Sequence, residues 1–168
     1  TGCGMMDCKK ALTETDGDKD KAVEYLREKG LATAAKKSGR IAAEGMAFAM
    51  TTEDHKKGVV IEVNAETDFV ANGADYIKLT QDILDVAVAA KAKSLDEVKE
   101  LALVDGTKVQ DAVVARSGIT GEKMELDGYN FIQGDNVSVY DHMGKHLLCT
   151  MVQTNKPAEE QAHVIAMQ

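Results

Sequence analysis

There is no tryptophan in this sequence, and of its 168 residues only four are tyrosine and three phenylalanine. A core built on large aromatic rings is therefore excluded. It has to come from Val, Ile, Leu, Ala and Met, and an apolar fraction of 44% is enough to form one. Basic residues are also in short supply, 20 against 28 acids, leaving a net charge of −8. That balance speaks against nucleic acid as the main partner, since phosphate binding shows as a basic surface, while leaving room for a local basic patch. No run is long and apolar enough to span a membrane, and no signal peptide opens the chain. The three cysteines, Cys3, Cys8 and Cys149, are odd in number and irregularly spaced, and read as free thiols in a reducing compartment. The sequence opens on Thr1 and stops inside the apolar pattern "AEEQAHVIAMQ", so both ends read as cut.

What is present falls into blocks. Residues 1–39 read as short helices. "GMMDCKKALTET" puts Met5, Cys8 and Leu12 on one face, with Met6 and Lys9 beside it. "DGDKDK" supplies Asp for a helix N-cap. "KAVEYLREKG" carries Ala22, Val23 and Leu26 at helical spacing and is expected to stop at Gly30, with a separate basic stretch after it. Residues 40–65 change period: "EGMAFAM" and "GVVIEVN" read as strands of a hairpin, with Val59, Ile61 and Val63 on one face. A long helix follows from Asn72, its expected N-cap. Two more helices are expected, with caps at Ser94 and Thr107 and a stop at Gly118. Strands return over 122–154, and Pro157, the only proline, is placed at the start of a last helix. The order predicts an α+β fold, a small helical module ahead of an antiparallel-sheet core with packed helices.

Motifs that carry chemistry are few. "TGCG" lacks the lysine of a phosphate loop and reads as a helix-entry turn. In "DGDKD" the calcium pattern fails, because Lys21 and Arg27 stand where Gly and Glu are required. His142 and His146 flank a turn rather than sharing a helix face, so a zinc pair is not expected. Cys149 lies in an apolar strand and reads as core. No nucleophile–base constellation can be nominated. One stretch stands out, "NAETDFVANG", where Phe69 sits in a polar strand-to-helix turn beside Asp68. The ordinary reading is a core phenylalanine at the base of the helix. The alternative is a displayed aromatic flanked by an acid, as an interface anchor would be.

"TGCGMMDCKKALTETDGDKDKAVEYLREKG", "AAKKSGRIAAEG", "VVIEVNAETDFVA", "TGEKM", "VYDHMGKHLL" and "HVIAM" occur in this order along nearly the whole chain. Together they resemble the bacterial translation elongation factor Ts family. The resemblance implies a guanine-nucleotide exchange factor, not an enzyme. It would bind elongation factor Tu and promote GDP release by disturbing the magnesium and phosphate side of that GTPase. It also implies that residues 1–39 form a ubiquitin-associated-like module whose first helix would precede Thr1. Residues 40–156 would be the α+β core, and 157–168 the start of a second core segment. Carried over by position, the partner contacts are Thr67, Asp68, Phe69 and Val70 of the signature turn, Met5, Met6 and Lys9 of the helical module, Gly121, and His142 on a hairpin. No cofactor, metal, membrane or direct nucleic-acid contact is implied, and a homodimer would form only through regions beyond this sequence. The expected setting is the bacterial cytoplasm rather than an organelle matrix. A bare helical adaptor and an uncharacterised enzyme are the alternatives.

Overall fold

The computed structural model describes residues 3–168, so Thr1 and Gly2 of the "TGCG" turn lie outside the described residues. Helix α1 (Met5–Glu14) and helix α2 (Lys19–Lys37) form a hairpin. The Asp-rich turn between them is a cap: Asp18 accepts the backbone N–H groups of Asp20 and Lys21, each at 3.1 Å. The seam of the hairpin is Ala11, Ala22 and Leu26, edged by Cys3, Cys8 and Tyr25. Part of the apolar face read from the sequence, Cys8, Ala22 and Leu26, closes this seam, and part is left outside it. Met5 is 86% exposed, Val23 50% and Leu12 38%, because small alanines let the two helices approach on a neighbouring stripe.

Helix α2 does not stop at Gly30. It runs on to Lys37, through the stretch expected to be separate. Gly30 makes no left-handed turn there. It lies against Gly118 of helix α6 (Val109–Thr120), where a Cβ on Gly118 would come 2.5 Å from the Gly30 Cα. Gly118 is a packing residue and not the expected stop; α6 ends at Gly121, whose φ of 74° is the left-handed C-cap.

Strands β1 (Glu44–Thr51), β2 (Lys57–Ala65) and β3 (Met124–Gln133) form an antiparallel sheet in that order. Alternation puts Val59, Ile61 and Val63 on the buried face at 2%, 0% and 0% exposure. Helices α4 (Ala74–Ala90), α5 (Leu95–Glu100) and α6 contribute Tyr76, Ile83, Leu84, Val98, Val109 and Val113 to the same core. Ser94 caps α5 as expected, accepting the Glu97 N–H at 3.2 Å. Thr107 caps nothing; its N–H is taken by Asp105 and its carbonyl by the Leu103 N–H, so the cap position passes to Lys108. Strands β4 (Asn136–Asp141) and β5 (Cys149–Thr154) form a second antiparallel pair, covered by helix α7 (Glu159–Ala166), which begins just after Pro157. The fold is α+β, with its strands in two sheets. Among the described residues no helix is long and apolar enough to cross a membrane.

Candidate partner-binding site

The turn after β2 is built from the ladder outward. The last paired residue of β2, Ala65, lies opposite Met124 of β3. Beyond it, Thr67 opens a single helical turn, α3 (Asp68–Ala71). So short a helix is not stable alone and has to be held by its surroundings. Three sets of contacts hold it. Ala71 is buried and Val70 packs on the core. The backbone N–H and side-chain amide of Asn72 both donate to the Asp68 carbonyl at 2.8 Å. Asn72 therefore closes α3 instead of capping α4, and Gly73 takes the cap. At the front, the Glu122 carboxylate accepts the Thr67 N–H at 3.0 Å and the Thr67 hydroxyl at 2.7 Å.

With Val70 and Ala71 facing inward, Phe69 is left facing out. It is 86% exposed, and Asp68 beside it is exposed as well. The ordinary reading of Phe69 as a core residue is excluded. Behind the turn, Tyr76 of α4 donates its hydroxyl to the Val63 carbonyl and accepts the Met46 N–H at 3.2 Å. Burial pushes that hydroxyl's pKa up to about 12, so it stays protonated as the donor this anchor needs. The aromatic ring is thus displayed from a fixed base.

The remaining residues named from the sequence are distributed over other elements. Gly121 is brought directly to the turn, since its neighbour Glu122 makes the bonds to Thr67. Met5, Met6 and Lys9 are exposed on α1. They are linked to this region through α1 on α2, joined by Asp7 to Lys29 at 2.6 Å, and α2 on α6 at the paired glycines. His142 is exposed at the β4–β5 tip, its ring Nδ1 3.1 Å from the Tyr140 hydroxyl. That tip lies along the free edge of β1: the Ala47 N–H donates to the His146 carbonyl at 2.7 Å, and the His146 ring stacks on Phe48 at 4.0 Å. Cys149 is half-buried in the same place, donating to the Ala47 carbonyl at 2.9 Å, and burial pushes its thiol up to about 11.

Residues 66 and 122 were not singled out by sequence reasoning. Glu66 accepts the Lys123 N–H at 2.6 Å and meets Arg40 at 3.1 Å, and these contacts, the backbone donor first, hold its carboxyl below the usual range. The available signal was an acid immediately beside each of two turns, in "AETDF" and "TGEKM".

A sequence model of the family described as Elongation factor TS matches residues 66–168. Over 169 aligned residues the chain is 60% identical to "Elongation factor Ts" of Bacteroides thetaiotaomicron, covering 100% of this chain and 50% of that protein. Identity to the protein of the same name from Phocaeicola vulgatus is 56%, again over 100% of this chain and 50% of the relative. For Porphyromonas gingivalis it is 43%, with 61% of the relative covered. The chain thus spans about half the length of the first of these curated relatives. The family match takes in the exposed Phe69 turn, the Gly121–Glu122 cap that holds it and the His142 hairpin tip, and on that match this chain belongs to the elongation factor Ts family.

Proposed function

We propose that this chain binds elongation factor Tu and promotes release of its GDP. In this reading Phe69 is the anchor pushed into the GTPase, with Asp68 beside it and Thr67 and Val70 framing it. Met5, Met6 and Lys9 grip from the helical module of residues 1–39, and Gly121 and His142 add contacts from the core of residues 40–156. Residues 157–168 begin a second core segment. The setting is the bacterial cytoplasm, in keeping with the bacterial relatives. The observation that carries the proposal is an aromatic side chain 86% exposed on a turn held by its backbone and by its neighbours. Burying such a ring on a partner releases apolar surface from water with little loop-ordering cost.

Exchange needs no bond-making chemistry. A protein that binds the nucleotide-free GTPase more tightly than the loaded form weakens nucleotide binding by the same factor. A ten-thousandfold effect requires about 5.5 kcal/mol of differential binding, within reach of an aromatic anchor and several polar contacts.

The test is release of fluorescent GDP from elongation factor Tu, with the parental chain and with Phe69→Ala. Truncating a central aromatic anchor costs about 2 kcal/mol or more of binding, roughly thirtyfold in affinity. Exposed substitutions stay within about 0.5 kcal/mol in stability, so the melting temperature is expected to hold while stimulated release collapses. Binding without release by the parental chain would indicate an adaptor and overturn the exchange reading. A Phe69→Ala chain as active as its parent would remove Phe69 from the mechanism.

A further inference from the structure

The turn that displays Phe69 and the turn that ends α6 both lie just past the final pair of the β2–β3 ladder, Ala65 with Met124. From there the ladder is continued by side chains in both directions. Glu122 takes the N–H and hydroxyl of Thr67, and Glu66 takes the N–H of Lys123. Glu122 is itself fixed by the last turn of α6. Its carbonyl accepts the Ser117 hydroxyl at 2.6 Å, and its N–H donates to the Thr120 hydroxyl at 3.3 Å.

One detail shows what this brace does. Thr67 occupies the N-cap position of α3, where a threonine hydroxyl would ordinarily accept a backbone N–H from the helix's first turn. Here the side chain makes no such cap bond, and its hydroxyl donates to Glu122. The entry angle of α3 is therefore set from α6, across a gap of 55 residues in sequence, and not by its own cap. Charge-assisted bonds of this kind are roughly twice as strong as neutral ones. Two of them between one carboxylate and one residue fix direction as well as distance. Phe69 follows two residues later.

We infer that Glu122 is a positioning residue: by its paired bonds to Thr67 it holds the Phe69 turn in its binding geometry, and so acts on the partner through Phe69 without touching it. This rests on the exchange reading for its functional consequence, but not for its structural one.

The experiment uses the full chain as Glu122→Ala and Glu122→Gln, read by amide hydrogen exchange in NMR and by GDP release from elongation factor Tu. Glutamine can rebuild both bonds: its carbonyl accepts the Thr67 N–H, and its amide donates to the Thr67 oxygen, a hydroxyl being able to do either. Alanine can rebuild neither. In Glu122→Ala, exchange at residues 67–71 is expected to rise about tenfold or more. The β2 amides of Ile61 and Val63 should stay unchanged. GDP release should fall roughly tenfold, equivalent to about 1.4 kcal/mol of lost pre-organisation. Glu122→Gln should recover most of both.

Unchanged exchange at 67–71 in Glu122→Ala would overturn the inference. So would Ile61 and Val63 loosening in step, which means general destabilisation. So would loosening of the turn with GDP release at the parental rate. If the parental chain releases no GDP while loosening is confined to 67–71 and reversed by glutamine, the exchange reading falls and the hold of Glu122 on the turn is supported.

Discussion

Gly118→Ala perturbs a place where α2 and α6 meet backbone to backbone. The added Cβ would lie 2.5 Å from the Cα of Gly30, 2.7 Å from its carbonyl carbon and 2.8 Å from its oxygen. None of these atoms belongs to a flexible side chain, so relief requires the helices to separate. The reverse change sets the distance: a Cβ on Gly30 would sit 3.6 Å from the Gly118 Cα, an ordinary contact. Separation by about 1 Å forfeits a quarter to a half of the dispersion energy of each facing atom pair. Overpacking of this kind costs about 1–3 kcal/mol. Alanine's helix propensity returns about 1 kcal/mol. For a chain this long each net kcal/mol lowers the melting temperature by about 2–4 °C. Net of that gain the loss is about 0–2 kcal/mol, so Gly118→Ala is expected to melt up to several degrees below its parent by circular dichroism or calorimetry. Gly30→Ala, with the same propensity gain and no clash, should melt at or slightly above it. Equal effects of the two substitutions would refute the reasoning, since the asymmetry comes only from the direction in which each Cβ points.

Two further outcomes follow from the same geometry. A peptide of residues 1–39 has little interior of its own: its closed seam is Ala11, Ala22 and Leu26, and its long helix leans on α6. By circular dichroism it should be mostly unfolded, and a cooperative thermal transition would contradict this. Acid should loosen the chain. Glu66 is held below the usual carboxylate range by the Lys123 N–H, Asp18 by the Lys21 N–H and Asp105 by the Thr107 N–H. A depressed folded-state pKa gives stability that is present above the unfolded value and lost as pH falls through the folded one. Melting temperature should therefore hold from neutrality down to about pH 4.3 and decline below it, with a shallower decline in Glu66→Gln; a flat profile from pH 5 to pH 3 would exclude the mechanism.

Most of the elements and the class of fold were legible in the sequence. Alternating Val59, Ile61 and Val63 marked a half-buried strand, and Ser94 and the Asp-rich turn marked helix starts, because these signals arise from bonds within a few residues. The ordered blocks from "GMMDCKKAL" to "HVIAM" also carried the family. What two of the glycines are for emerges only from the packing of the helices. Gly30 and Gly118 look like helix stops in isolation, since glycine favours chain reversal, yet each lies inside its helix, and it is Gly118 that leaves room for the backbone at Gly30. Thr107 and Asn72 look like caps, yet a neighbouring turn takes the first and the carbonyl of Asp68 the second. Phe69 was undecided between core and surface. Only the packing of Val70 and Ala71 against the sheet turns it outward, and burial is a property of the neighbours rather than of the residue. The bond of Glu122 to Thr67 was invisible for the same reason: two residues 55 apart meet only once β3 has paired with β2.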